Sequence, residues 1–249
     1  MKSVAIVFTI AFIGMLNPAP ARSEGTDDLV LVAGATGRTG RVVVEELLAQ
    51  GFKVRAFVRD IERARTVLPK NIEYSQGDVR QRATIDPALN GVTAIICTIG
   101  ASLGDPDNTP ELVDYGGVRA LADAAADAGL EHFVLVSSGG ATQRDHVLNQ
   151  RFNNVLIWKF KGEEVVRNSG VPYTIVRPGG LTDEPGGGKS LVLLQGDKRL
   201  GTISRKDVAR VLVASLRIGD ARGKTFELFN GDQAPSGDLK NVFTSLAAD

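Results

Sequence analysis

A doubly wound α/β domain on a parallel sheet is the fold class that this 249-residue sequence predicts, and three observations predict it. Short apolar, β-branched runs alternate with segments of helical periodicity. The first run ends in three glycines, Gly34, Gly37 and Gly40, and a helical pattern follows at once. The strand-like runs are apolar almost throughout, as strands covered on both faces are. Parallel strands need crossovers, and the intervening helices supply them.

The first strand is expected over 29–33 and the first helix over 41–50, where Val43, Val44, Leu47 and Leu48 form the apolar stripe. Between them, Gly34 lets the backbone leave the strand sharply. Gly37 removes a side chain where a pyrophosphate must approach the main chain, and Gly40 lets the helix pack closely on the strand. The free N–H groups and positive dipole end of that helix then face the phosphates. Gly34, Thr36, Gly37, Arg38, Thr39 and Gly40 are therefore expected at a dinucleotide, the alternative being a glycine-rich turn without a ligand.

The second strand, within 53–59, ends in Arg59, about 20 residues beyond Gly40. An NAD site usually carries an acid there for the ribose 2′-hydroxyl. A guanidinium instead suits a 2′-phosphate, and Arg38 inside the glycine turn is expected to supply a second one, so the cofactor expected is NADP. The alternative for Arg59 is a strand-end charge paired with Asp60.

Further strands are expected over 71–74, 94–98, 133–136 and 173–176, with the clearest helices over 111–128 and 158–169. Ligands of such sheets lie beyond the carboxyl ends of the strands, so each end is a candidate site. Asp78 and Val79 follow the third strand and are expected near an adenine. Thr98, Ile99 and Gly100 end the fourth, where small residues let a cofactor lie against the main chain. Ser137 and Ser138 end the fifth, beside the expected nicotinamide, and Pro178 and Gly179 end the sixth.

Composition bounds the rest. The chain is 43% hydrophobic and 23% charged, enough for one sizeable domain over residues 22–249. Its formal net charge is zero, which gives no basic footprint for nucleic acid or an anionic membrane. The single Cys97 excludes an intrachain disulfide and reads as a small buried thiol. His132 and His146 lie far apart without supporting cysteines, so no metal site is expected. Gly188-Lys189-Ser190 resembles a triphosphate-binding loop, but that pattern needs glycine five residues earlier, at Asp183.

Residues 1–21 stand apart. Lys2 precedes an apolar run over 4–16, Asn17-Pro18 breaks it, and Ala19-Pro20-Ala21 has the small-x-small form of a cleavage site. The run is too short to span a bilayer as a helix. A cleaved signal peptide and export, to the periplasm or beyond, are expected, with an uncleaved membrane anchor as the alternative. Membrane contact is expected only in that second case.

Together, Gly34 to Gly40, Val58-Arg59-Asp60, Gly77-Asp78-Val79, Val136-Ser137-Ser138 and Tyr173 to Leu181 resemble the atypical short-chain dehydrogenase/reductases. The likeness is to the NAD(P)-binding, NmrA-like branch that includes a small plant NADP-binding protein and, more distantly, flavin reductase/biliverdin reductase B. It runs from about Leu29 to the C-terminus and extends to Asp145-His146, Leu148-Asn149, Ile157-Trp158-Lys159 and Ser204 to Ala209.

The resemblance implies a Rossmann-like domain that holds NADP, with a small C-terminal lobe over a substrate. Short-chain reductases commonly use Tyr-x-x-x-Lys with a serine: the phenol passes a proton, the lysine lowers its pKa and holds the ribose, and the serine steadies the substrate oxygen. Ser138 matches the serine and Lys159 the lysine, but the tyrosine place is Val155. Moving the register to Lys161 puts Ile157 there, and Tyr115, Tyr173 and His146 are the substitutes in principle. Two readings follow. One is an NADPH-dependent oxidoreductase on a small carbonyl, quinone or flavin-like acceptor, since hydride transfer to a flavin needs no tyrosine. The other is a catalytically silent, dinucleotide-binding regulator or assembly factor. An exported domain with no cofactor leaves the glycine turn and the arginines unexplained. Oligomeric state is not legible.

Overall fold

The computed structural model describes residues 28–102, 104–199, 201–234 and 238–249. The leader expected over residues 1–21 lies outside them. Among the described residues no helix is long and apolar enough to cross a membrane.

The chain opens with β1 (Leu29–Ala33), α1 (Arg38–Ala49), β2 (Lys53–Val58) and α2 (Ile61–Arg65). Next come β3 (Glu73–Gln76), α3 (Arg82–Ile85) and β4 (Ala94–Cys97). A π-helical turn, Glu111–Gly117, leads into α4 (Val118–Asp127), followed by β5 (His132–Val136), α5 (Val147–Arg151), α6 (Val155–Asn168) and β6 (Tyr173–Pro178). The last third holds β7 (Gly180–Thr182), β8 (Leu191–Leu194), β9 (Thr202–Ser204), α7 (Arg205–Arg217), β10 (Lys224–Asn230) and α8 (Leu239–Thr244).

The main sheet has the order β3-β2-β1-β4-β5-β6-β10-β8, parallel except for the antiparallel edge strand β8. Its first six strands follow the doubly wound order that reverses between β1 and β4, and a ligand crevice opens there. Side-chain alternation along β1 explains why helices cover both faces. Val30 and Val32 join a core with Val43, Val44 and Leu47 of α1 and Val208, Val211 and Leu212 of α7. Leu29, Leu31 and Ala33 join the opposite core with Leu121, Ala122 and Ala125 of α4 and Val166 of α6. The C-terminal part is only partly a lobe: β8 and β10 extend the main sheet, while β7 and β9 form a small parallel pair of their own.

Cys97 is fully buried and free, and burial pushes its thiol up to about 12. His132 is also buried, with Nε2 at 2.9 Å from Thr174 Oγ1. That hydroxyl donates to Ala221 O, so Nε2 must carry the proton and donate, leaving Nδ1 a bare lone pair with no partner among the described residues. Burial first, and the Arg222 charge second, push the imidazole down to about 3. Since this lies below the unfolded value of about 6.5, the unfolded chain binds the extra proton between those limits, and stability falls as pH drops through that window. We expect the unfolding free energy to fall by about 1.6 kcal/mol between pH 6.5 and 5 on this account alone. Urea titrations of wild type and His132→Asn check it, because the variant's pH profile must be flatter by that amount.

Candidate functional site

The glycine turn is built as the spacing requires. Gly34 has φ +83°, a left-handed conformation, and a Cβ there would lie 2.8 Å from Thr98 Oγ1. Its carbonyl takes the Gly37 N–H at 2.9 Å, which closes the turn. A Cβ on Gly40 would overlap that same carbonyl, so α1 approaches β1 only because the side chain is missing. The N-cap, Gly37, has no side chain to offer, and the first turn of α1 holds no acid. The amides of Arg38, Thr39 and Gly40 therefore point out of an uncapped helix end, a ready seat for an anion.

Beyond the carboxyl ends of β1 to β4 runs a cleft of about 250 Å³. The turn contributes Gly34, Thr36 and Gly37, the end of β2 contributes Arg59, and the segment after β3 contributes Asp78 and Val79. Thr98, Ile99 and Gly100 close it from β4. These nine residues, taken from four separate strand ends, are brought to one place. Arg59 is exposed, its guanidinium has no hydrogen-bond or ion-pair partner among the described residues, and its carbonyl takes the Gln76 amide. Asp60 caps α2 through the Arg63 N–H at 3.0 Å, so it is not paired with Arg59.

Other expected site residues lie elsewhere. Arg38 does not face Arg59: it forms an ion pair with Asp183, which also holds Arg205 at 2.7 Å. Thr39 and Gly40 belong to the first turn of α1 and are not on the cleft wall. Asp78 is gripped by Arg80 through Nε at 2.9 Å and a second guanidinium nitrogen at 2.5 Å. That bond, aided by the charges of Arg80 and Arg59, holds the Asp78 carboxyl below the usual carboxylate range. Arg80 also lines the cleft and was not singled out from the sequence, although it directly follows Gly77-Asp78-Val79. Pro178 is buried at the end of β6, and its carbonyl takes the Gly139 N–H at 2.8 Å. Gly179 has a structural reason to be glycine, since a Cβ there would overlap Gly201 O.

Lys159 lies on α6 with Nζ 2.7 Å from Asp114 Oδ1, and the other carboxylate oxygen of Asp114 accepts the Ala101 N–H at 3.0 Å. Asp114 is wholly buried and comes from the π-helical turn. Such turns are rare and cluster at functional sites. Gly162 lets that turn reach α6, because a Cβ there would lie 2.5 Å from Asp114 O. Val155 sits one helical turn before Lys159, and no substitute phenol occupies its place. Tyr115 packs on Trp158 with ring centroids 5.8 Å apart, and Tyr173 donates to Asp249 at the far end of β6. Tyr74 donates to Pro69 O, and His146 Nδ1 accepts the Leu148 N–H at the start of α5. Ser138 is partly exposed and, among the described residues, donates only to its neighbour's carbonyl, Gly139 O, at 3.0 Å.

A second cavity of about 640 Å³ adjoins the cleft at Ser102. Val155 and Ala101 lie on its wall, so the tyrosine place and the backbone amide held by Asp114 both belong to it. Among the described residues no cluster of His, Cys, Asp or Glu fits a metal ion.

The dinucleotide expected here fits the chain on the structure's own terms: the tight glycine turn, the bare N-cap of α1 at Gly37 and the unpaired Arg59 guanidinium line one crevice. Residues 34–218 match the NAD(P)H-binding family. Sanguinarine reductase of Eschscholzia californica is 34% identical over 261 residues, covering 87% of this chain and 95% of that protein. The photosystem II assembly factor of Trieres chinensis is 30% identical over 228 residues, covering 88% of this chain and 69% of the factor. A Bacillus halodurans structure described as an NAD-dependent epimerase/dehydratase superposes with a TM-score of 0.77 at 26% identity, over 88% of this chain and all of that one. The chain thus belongs to the NAD(P)H-binding family, among the atypical, NmrA-like short-chain dehydrogenase/reductases.

Proposed function

We propose that the protein is an NADPH-dependent oxidoreductase acting on a small carbonyl, quinone or flavin-like acceptor. One observation carries the reading: the dinucleotide cleft and an apolar cavity meet at Ser102, so a cofactor and a second, largely apolar molecule have adjoining places. NADPH held in the cleft supplies a hydride. In this reading Arg59 grips its 2′-phosphate, the first turn of α1 receives the pyrophosphate, and Lys159, kept in place by Asp114, holds the ribose beside the nicotinamide. Ser138 positions the acceptor oxygen, and the Pro178-Gly179 segment sets the ring face. The cleaved leader over residues 1–21 and export belong to the same reading, so the mature chain meets its dinucleotide after translocation.

The test is steady-state NADPH oxidation with carbonyl, quinone and flavin acceptors. Turnover with one class is the expected result, and binding of NADPH without turnover of any acceptor counts against it. For cofactor choice, Arg59→Glu replaces a charge-assisted bond by repulsion. We expect it to weaken NADPH binding by tenfold or more, about 1.4 kcal/mol, and NADH binding by much less. Equal losses for both, read by fluorescence titration, contradict the assignment.

A second reading, a regulator or assembly factor whose conformation the dinucleotide sets, is favoured by Val155 in the tyrosine place. The assembly-factor relative lends it further support. A pull-down whose yield changes between NADPH and NADP⁺ supports this reading, and indifference to both removes it.

A further inference from the structure

The wall of the second cavity carries one guanidinium with no internal partner among the described residues. Arg151, the last residue of α5, lies on that wall, is exposed, and has no hydrogen-bond or ion-pair partner among the described residues. The other ionisable group on the wall, Asp105, is already engaged: its carboxylate takes the Asp107 N–H at 3.0 Å. Its charge also falls on Arg80, whose guanidinium Asp78 first, and then Asp105 and Asp107, raise further above the usual range. Pro106, Pro110, Phe152 and Val155 give the same wall an apolar surface with one aromatic ring.

This wall is built in advance of any ligand. Asn153 and Asn154 both have positive φ, 49° and 58°, two consecutive left-handed residues that reverse the chain between α5 and α6. Such a costly reversal persists only where its surroundings determine it. Here the buried Asn149 does so: its Nδ2 donates to the carbonyls of Gln143 and Arg144, and its Oδ1 accepts the Leu156 and Ile157 N–H groups, capping α6 from the preceding helix. The reversal sets Phe152 and Val155 on the wall with Arg151 beside them.

We propose that this cavity selects a flat, apolar acceptor bearing one anionic group, its ring system against Phe152, the two prolines and Val155, and its anion on Arg151. Ring stacking on Phe152 favours a planar partner. A guanidinium with no internal partner favours a carboxylate or sulfonate over a neutral group of the same shape. The inference rests on the oxidoreductase reading for turnover and on the cavity alone for binding.

The experiment uses the full chain and a matched pair of probes, naphthalene-2-sulfonate and naphthalene-2-sulfonamide, titrated by calorimetry. The sulfonate is expected to bind at least tenfold more tightly, and Arg151→Glu to abolish or invert that preference. Val155→Trp, which fills the cavity, is expected to weaken both probes. Equal affinity of wild type for the two probes overturns the proposal, as does a preference that survives Arg151→Glu or a sulfonate affinity indifferent to Val155→Trp. In parallel, NADPH oxidation is followed with 1,4-naphthoquinone and its 2-sulfonate, and Arg151→Glu is expected to lower kcat/KM for the sulfonate relative to the parent quinone tenfold or more. Selective sulfonate binding without turnover of either quinone leaves the anion-selecting cavity standing and removes the oxidoreductase reading. Turnover without selective binding does the reverse.

Discussion

Glu163→Ala will lower the unfolding free energy by about 3–5 kcal/mol, the cost of breaking a buried ion pair and leaving one partner behind. Glu163 is fully buried on α6, and every direction around its carboxylate is used. It accepts from Ser137 Oγ at 2.5 Å, from Arg177 at 2.8 and 2.6 Å, and from Arg167 at 2.8 Å. Burial works against the charge of Arg177, yet the hydrogen bonds and charge of Glu163 outweigh it and hold that guanidinium above its ordinary range. Without Glu163, Arg177 keeps only Glu227, at 3.3 Å, and the Ser137 hydroxyl loses its acceptor in the core. Glu163→Gln keeps the shape and one acceptor oxygen, so it must cost less. Urea unfolding of both variants checks the order, and a loss below about 1 kcal/mol for alanine contradicts the argument.

The same charges reach the loop that carries Ser138. Glu227 Oε2 accepts the Asp197 N–H at 2.9 Å, and the Asp197 carboxylate accepts from Gly140 N at 2.6 Å and from both Thr142 N and Thr142 Oγ1 at 2.8 Å. Asp197 itself has φ 53°, an uncommon backbone for aspartate that these bonds hold in place. Amide exchange at Gly140 should therefore quicken in Glu163→Ala ahead of exchange in β1, which β4 separates from β5 in the sheet.

What the sequence made legible follows from which forces act locally. The glycine turn is readable because two of its three glycines answer a neighbour within six residues: Gly37 and Gly40 both meet Gly34 O. The strands were readable because burial on both faces demands unbroken apolar runs. β3 was placed two residues early because it is an edge strand whose residues are at most half-buried, so no apolar run marks it. Helical periodicity over 111–128 merged a π-helical turn with α4, and this hid Asp114, whose partner Lys159 lies 45 residues on. A signal was present: the pair Gly116-Gly117 interrupts that helix, and a Cβ on Gly117 would press on Val79 of the cleft at 2.7 Å. Arg38 was expected beside Arg59 because both flank one crevice, yet its partner Asp183 lies 145 residues away, beyond any local pattern. Arg177 is marked only as a charge at the end of an apolar run, while Glu163 is one of several charges along α6 and nothing local marks it for burial. β7, β8 and β9 are short, and they and β10 pair across long separations, which periodicity does not record.

Gly40→Val will abolish dinucleotide binding, with a loss of at least a hundredfold, about 2.8 kcal/mol, and will cost roughly 1–3 kcal/mol of stability through overpacking. The two effects have one origin. A Cβ at this position overlaps Gly34 O and lies 2.8 Å from Gly34 C, and these are backbone atoms that no rotamer change moves aside. To make room, either α1 slides outward or the turn at Gly34 opens. Sliding displaces the amides of the first turn from the crevice, and opening breaks the Gly37 N–H to Gly34 O bond that shapes it. A valine on the exposed side of α1, at Glu45, makes the control, since it puts the same β-branched side chain into the same helix with no backbone to meet. If Gly40→Val keeps NADPH affinity within threefold of wild type while Glu45→Val behaves alike, the helix end is not the seat of the phosphates. The cleft would then have to hold its ligand through Arg59 and the β3 and β4 ends alone.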